Sequence, residues 1–129
     1  MKSPGILLLT VDRTLQKLVA EVLPELDGVI HVASEIEDAL DLICQSHDIN
    51  LVMIDFANGP HGLRRLRAIR ALDRHVPLIV ITDQDQKQVE ALAYANGATA
   101  GIHRSALRSQ LAAAVHQRFS EASTELTLT

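Results

Sequence analysis

Five short apolar runs recur along the chain at a nearly constant interval, and this rhythm restricts the fold more than any other feature. The runs begin near residues 6, 29, 51, 78 and 100 of the 129-residue sequence, at intervals of 22 to 27 residues. Between them lie segments with apolar residues at helical spacing. A strand, a right-handed crossover helix and the next parallel strand need an interval of this length. The rhythm therefore predicts five βα units and a parallel sheet.

Five βα units in one chain predict a single α/β domain of the flavodoxin-like (βα)5 type, a doubly wound parallel sheet with strand order 2-1-3-4-5. The predicted strands are 6–9, 29–32, 51–54, 77–82 and 98–103. The predicted helices are about 14–26, 34–45, 63–72, 86–95 and 105–119. Expected N-caps are Asp12 or Thr14 for the first helix, Asp85 for the fourth and Ser105 for the last, and Asn96–Gly97 is expected to end the fourth. We expect residues 1–119 to form the domain and the polar residues 120–129 to fray as a C-terminal tail.

Composition narrows the classes of function. The formal net charge of −4 and the aromatic content of 2% give no basis for nucleic-acid binding by this domain. The single cysteine, Cys44, excludes an internal disulfide framework and is expected in the core. No apolar stretch is long enough to span a membrane, and no signal-peptide pattern is present, so a cytoplasmic location is expected. The absence of a glycine-rich phosphate loop argues against a nucleotide enzyme.

Asp55 is the leading candidate for a functional side chain. It ends the apolar run that begins at Leu51, and in open α/β sheets ligands bind at the carboxyl ends of the central strands. The predicted order places the loops after Leu9 and Ile54 opposite one another, with the strand end at Thr82 beside them. Since aspartate is common in turns, a purely capping role for Asp55 is the alternative.

At these positions the chain resembles the receiver domains of two-component response regulators. The resemblance covers about residues 5–118, and its motifs are the run 51–55, the loop 59–63, the strand end 80–82 and the turn 95–101. It implies that Asp55 accepts a phosphoryl group and that Thr82 contacts that group. It also implies Mg²⁺ as cofactor, a histidine kinase or phosphotransfer protein as partner, a homodimer through the fourth and fifth helices, and no enzymatic role.

The chain departs from that family where the metal is held. Receivers place two adjacent acidic residues after the first strand, and here those positions hold Thr10 and Val11, with Asp12 one position later. Mg²⁺ prefers carboxylate oxygens and water. Asp55 and Asp12 are the remaining metal candidates, and Asp12 reaches the site only if a bulge rotates it inward. We therefore expect magnesium-dependent phosphorylation of Asp55 to be weakened or absent.

Three further departures lie near the strand ends. Arg104 stands where receivers carry a lysine, Gly101 stands where the fifth strand carries an aromatic residue, and Asp83 replaces a small residue after Thr82. Arg104 either clamps a phosphoryl group, pairs permanently with Asp55, or is a solvated loop residue. Asp83 repels a phosphoryl group if it points inward and is only loop polarity if it points outward.

Two functions remain open at this point. One is a receiver of a two-component phosphorelay with impaired phosphorylation, and the other is a pseudo-receiver that binds proteins without phosphorylation. The third helix adds a separate feature, because it is rich in arginine. Its five arginines form either a solvated outer face or a docking surface for an acidic partner: Arg64, Arg65, Arg67, Arg70 and Arg74.

Overall fold

The sheet has the predicted topology. The computed structural model describes residues 5–24, 29–45, 49–56, 61–83 and 87–128, with backbone only at 87 and 119–128. Five parallel strands lie in the order β2-β1-β3-β4-β5. Their bounds are β1 Gly5–Leu9, β2 Ile30–Ala33, β3 Ile49–Asp55, β4 Leu78–Thr82 and β5 Ala100–His103.

Helices cover both faces of this sheet. They are α1 Arg13–Val22, α2 Ile36–Gln45, α3 His61–Leu72, α4 Lys87–Ala95 and α5 Leu107–Leu128. One core layer packs α1 and α5 against the sheet, and the other packs α2, α3 and α4 against it. Among the described helices, none is long and apolar enough to cross a membrane.

The apolar run in β3 is explained by burial on both faces. Leu51 and Met53 face the α1–α5 layer, whereas Val52 and Ile54 face the other layer. Side chains alternate between the faces of a strand, so a strand covered on both sides must be apolar at every position. β3 lies in the centre of the sheet, between β1 and β4, and Asp55 lies at its carboxyl end.

Several predicted bounds need correction. β3 begins at Ile49, β2 is displaced by one residue toward Ala33, and β5 begins only at Ala100. Hydrogen bonds to neighbouring strands set these limits, and an apolar run does not report them. Helix α1 ends at Val22, four residues before the predicted end. The predicted capping of the fourth helix by Asp85 lies outside the described residues.

The start of the last helix also differs from the prediction. A 3₁₀ turn, Arg104–Ala106, precedes α5, and its N-cap is His103, whose Nδ1 accepts a hydrogen bond from the Ser105 amide at 3.1 Å. Ser105 is therefore not the cap. Helix α5 continues to Leu128, past the residue where the polar composition predicted fraying. The division of the chain at residue 119 stays a prediction.

Two other predictions concern single residues of the helices. Asn96 and Gly97 were predicted to stop the fourth helix, and Gly97 has φ of +107°, the left-handed conformation that ends helices. The prediction that Cys44 lies in the core is wrong, because its side chain is exposed. Cys44 lies five positions after the buried Ala39, which turns it well away from the core-facing stripe of α2.

Candidate functional site

Asp55 is buried at the carboxyl edge of the sheet and accepts a hydrogen bond from Thr10. Its side chain lies at the end of β3 and the residue is 3% exposed. The Thr10 hydroxyl donates to Asp55 Oδ2 at 2.7 Å. Leu9 and Ile54 are paired across β1 and β3, so the residues that follow them meet. The predicted juxtaposition of these two strand ends is thus present.

Asp12 uses both of its carboxylate oxygens within the chain. Oδ1 caps α1 by accepting from the Thr14 amide at 2.8 Å and the Leu15 amide at 3.3 Å. Oδ2 forms an ion pair with the Arg104 guanidinium. The hydrogen bond from Arg104 lowers the pKa of Asp12. The sequence prediction that Asp12 or Thr14 caps this helix is confirmed for Asp12.

The Thr10 hydroxyl connects the backbone amide of Asp12 to the carboxylate of Asp55. The Asp12 amide donates to Thr10 Oγ1 at 3.0 Å, while Thr10 donates to Asp55. Together with the ion pair from Arg104 to Asp12, these contacts form what we term the carboxyl-edge network: Thr10, Asp12, Asp55 and Arg104. It spans the start of α1, the end of β3 and the turn after β5.

Arg104 contributes a positive charge to this edge. Its side chain is 25% exposed and is held by Asp12, so it is not a freely solvated loop residue. The hydrogen bond with Asp12 raises the pKa of Arg104, and the charges of Asp12, Asp55 and Asp83 add to that effect. The guanidinium therefore lies in the combined field of three carboxylates, of which Asp55 ends β3 and Asp83 directly follows β4.

Thr82 lies at the same edge but contacts a residue that the sequence did not single out. It is 1% exposed, and its hydroxyl faces Glu90 Oε1 of α4 at 3.4 Å. Glu90 lies against Gly101 of β5, where an added Cβ would be 3.4 Å from the same oxygen. The absence of a side chain at Gly101 was the one signal that pointed to spare room here.

The family model of the response regulator receiver domain matches residues 6–116. This chain belongs to that family. It is a receiver domain of two-component signal transduction, a class of generally non-enzymatic signalling modules that typically bind Mg²⁺ at an acidic pocket. The resemblance to receiver domains that the sequence indicates is confirmed, and so is the predicted fold class.

Similar proteins agree with this assignment. The receiver domain is 32% identical over 85 residues to a glycerol metabolism activator from Pseudomonas putida, matching 65% of this chain and 38% of that relative. The chain thus spans about two fifths of that relative's length.

Solved structures share the fold. The receiver domain of NtrX from Brucella abortus superposes with a TM-score of 0.79 at 21% identity, covering 90% of this chain and 98% of the other. A receiver domain protein from Clostridium thermocellum gives a TM-score of 0.80 at 21% identity, covering 95% and 98%.

The donor set of this receiver domain does not fit the family's metal. Mg²⁺ is held by carboxylate and other oxygens, with waters completing an octahedron. Here both oxygens of Asp12 are engaged by the α1 amides and Arg104, and Thr10 offers a neutral hydroxyl that already donates to Asp55. No group of three acidic, histidine or cysteine side chains that could hold a metal occurs in the described part of the chain.

Proposed function

We propose that this receiver domain uses Asp55 as its phosphoacceptor and that its magnesium-dependent phosphorylation is weakened or absent. The observation that carries the proposal is the engagement of Asp12 by Arg104 and by the start of α1, with neutral Thr10 beside Asp55. Phosphoryl transfer depends on positioning and on neutralisation of charge. Because Asp12 is already engaged, the pocket supplies less of both to a divalent ion.

The residues of the carboxyl edge then have separate roles. A carboxylate oxygen of Asp55 bonds to phosphorus while the bond from phosphorus to the donor breaks, and the donor is a phosphohistidine of a histidine kinase or phosphotransfer protein. Arg104 supplies positive charge, and its planar fork suits phosphate oxygens. To reach a phosphoryl group it must release Asp12. Thr82 contributes a hydroxyl donor.

Acetyl phosphate tests this proposal directly. The purified chain is incubated with acetyl phosphate, with Mg²⁺ or with EDTA, and the phosphoryl adduct is quantified by intact-mass spectrometry. We expect a slow, substoichiometric adduct that depends little on Mg²⁺ and disappears in Asp55→Asn. Rapid and stoichiometric phosphorylation that requires Mg²⁺ would contradict the proposed impairment.

The alternative function is a pseudo-receiver that binds proteins without phosphorylation. The ion pair between Arg104 and Asp12 favours it, because this pair ties the turn before α5 to the start of α1 in the absence of any phosphoryl group. If neither acetyl phosphate nor a phosphorylated phosphotransfer protein adds a phosphoryl group, and if the amide NMR spectra with and without donor are identical, the alternative replaces the phosphoacceptor role.

A homodimer through α4 and α5 is part of the same proposal. Support comes from the exposed apolar residues Leu92 and Tyr94 on α4, which are 51% and 50% exposed. Analytical ultracentrifugation of the chain and of Leu92→Glu tests it. We expect concentration-dependent dimers that the substitution weakens, whereas a monomer at all concentrations would exclude this partner.

A further inference from the structure

We propose that Glu90 is a positioning residue that sets the orientation of the Thr82 hydroxyl and thereby couples α4 to the Asp55 pocket. The inference rests on the proposed function in one respect, because the orientation of Thr82 matters for a phosphoryl group only if Asp55 carries one. The contact between Thr82 and Glu90 stands independently of that role.

The contact joins a buried hydroxyl to a carboxylate on the first turn of α4. Thr82 Oγ1 lies 3.4 Å from Glu90 Oε1, which is longer than the O–H···O optimum of about 2.8 Å. A hydroxyl has one proton to donate, so Thr82 donates either toward Glu90 or toward another acceptor at the carboxyl edge. A rotation between staggered rotamers is enough to change the acceptor.

Gly101 makes room for this arrangement. An added Cβ on Gly101 would lie 3.4 Å from Glu90 Oε1 and 3.6 Å from its Cδ. A methyl group fits at that distance, but a larger side chain would need the volume that the Glu90 carboxylate now fills. The family resemblance predicts an aromatic side chain at position 101 of β5. In this chain the Glu90 carboxylate of α4 lies beside that position instead.

A second residue of α4 holds the same point of β5. The Tyr94 hydroxyl accepts a hydrogen bond from the Gly101 amide at 2.9 Å. Glu90 and Tyr94 are four residues apart, so they lie on one side of the helix. Helix α4 thus contacts β5 at Gly101 through both Tyr94 and Glu90, and Glu90 also contacts Thr82 of β4. A change in Thr82 is transmitted to α4 through Glu90.

The rotamer of Thr82 is the decisive measurement. Its χ1 populations are obtained from three-bond couplings between Cγ and the backbone N and C′ atoms in the isotope-labelled chain. We expect Glu90→Ala to reduce the population of the dominant rotamer by at least half. Glu90→Gln keeps an acceptor oxygen, and Gly101→Ala adds only a tolerated methyl group, so both should preserve that population.

Gly101→Leu provides an independent test, because it displaces the Glu90 carboxylate without removing it. We expect the same rotamer change as in Glu90→Ala. Unchanged Thr82 couplings in both folded variants, with melting temperatures recorded to establish folding, would overturn the proposal.

Acetyl phosphate then separates this inference from the proposed function. We expect Glu90→Ala to take up the phosphoryl group at Asp55 several-fold faster than Glu90→Gln, because Thr82 is free to donate elsewhere. Equal rates would overturn the coupling to the pocket. If no variant is phosphorylated, the phosphoacceptor role of Asp55 fails, and the rotamer result alone decides whether Glu90 positions Thr82.

Discussion

Two arginines at opposite edges of the sheet perform different tasks. Arg70 of α3 lies at the amino edge and donates to three backbone carbonyls: Val76 at 2.6 Å, Gly97 at 2.8 Å and Asp73 at 3.3 Å. Arg104 lies at the carboxyl edge and pairs with a carboxylate, that of Asp12. The Arg70 guanidinium holds the segments before β4 and β5 by hydrogen bonds, whereas the Arg104 guanidinium pairs with a negative charge.

Their pKa values shift in opposite directions for this reason. Desolvation by burial lowers the pKa of Arg70, and the charge of Asp73 offsets part of that effect. The hydrogen bond with Asp12 raises the pKa of Arg104. Burial at the amino edge therefore disfavours the charge of Arg70, whose role is to donate hydrogen bonds. At the carboxyl edge, Asp12 favours the charge of Arg104.

The largest expected effect is at the amino edge. Replacing Arg70 with Ala removes hydrogen bonds to three carbonyls, two of which precede β4 and one of which precedes β5. We expect the free energy of unfolding to fall by about 2 kcal/mol, the cost typical of losing charged hydrogen bonds at a partly buried site. Urea unfolding measures it.

Arg67 provides the matched control on the same helix. Its side chain is exposed and its Nε donates to Asn96 Oδ1 at 3.0 Å. We expect Arg67→Ala to change the free energy of unfolding by no more than about 0.5 kcal/mol. An Arg70→Ala effect as small as the control would show that the carbonyl contacts are not structural.

Arg67 and Arg70 also make contacts that helical spacing does not predict. Helical spacing correctly assigned Arg67 and Arg70 to α3, but it offered only a solvated face or a docking surface. Both instead bond to the α4–β5 turn, because the fold brings that turn beside α3. Spacing gives the direction of a side chain and not the loop that it meets.

At the carboxyl edge, too, the sequence pattern predicts some features and not others. Hydrophobic periodicity was enough to predict five βα units, and the strand order known for such units then placed Asp55 at the carboxyl end of a central strand. The ion pair of Arg104 with Asp12 joins residues 92 positions apart. The contact of Glu90 with Thr82 lies beside Gly101, where β5 carries no side chain. Such pairings depend on side-chain packing in three dimensions, which the pattern does not encode.

The second prediction removes the buried hydroxyl of the carboxyl-edge network. Thr10→Val leaves Asp55 without this donor and the Asp12 amide without its acceptor. We expect a loss of about 1–2 kcal/mol in the free energy of unfolding. Thr10→Ser retains the hydroxyl and should recover most of that loss. If the serine variant is as unstable as the valine variant, packing of the methyl group and not the hydroxyl is responsible.

The third prediction concerns the charge of Arg104 and its dependence on pH. Arg104→Met keeps much of the apolar stem but removes the partner of Asp12, and we expect a loss of about 0.5–1 kcal/mol at pH 7. Because the folded-state pKa of Asp12 is lowered, this contribution is fully present above the ordinary pKa of aspartate. It disappears as the pH falls through the lowered value.

The measurement is the difference in unfolding free energy between the chain and Arg104→Met at pH 7 and at about pH 2. Arg108→Met is the control, since Arg108 pairs with Glu21 at 3.1 Å but both side chains are mostly exposed, at 71% and 61%. We expect no resolvable effect for that pair. A difference for Arg104→Met that persists unchanged in acid would mean that the ion pair is not its source.

The smallest expected effect is a gain of metal binding. Thr10→Asp places a second carboxylate beside Asp55, where the family resemblance expects an acidic residue, and gives Mg²⁺ the charge that the present donor set lacks. If the dissociation constant is half the Mg²⁺ concentration used, binding stabilises the variant by about 0.6 kcal/mol. Thr10→Asn, a neutral side chain of the same shape, should gain nothing. Thermal unfolding with and without Mg²⁺ measures the difference, and equal stabilisation of the unmodified chain would show that Arg104 and Asp12 release the pocket to the metal after all.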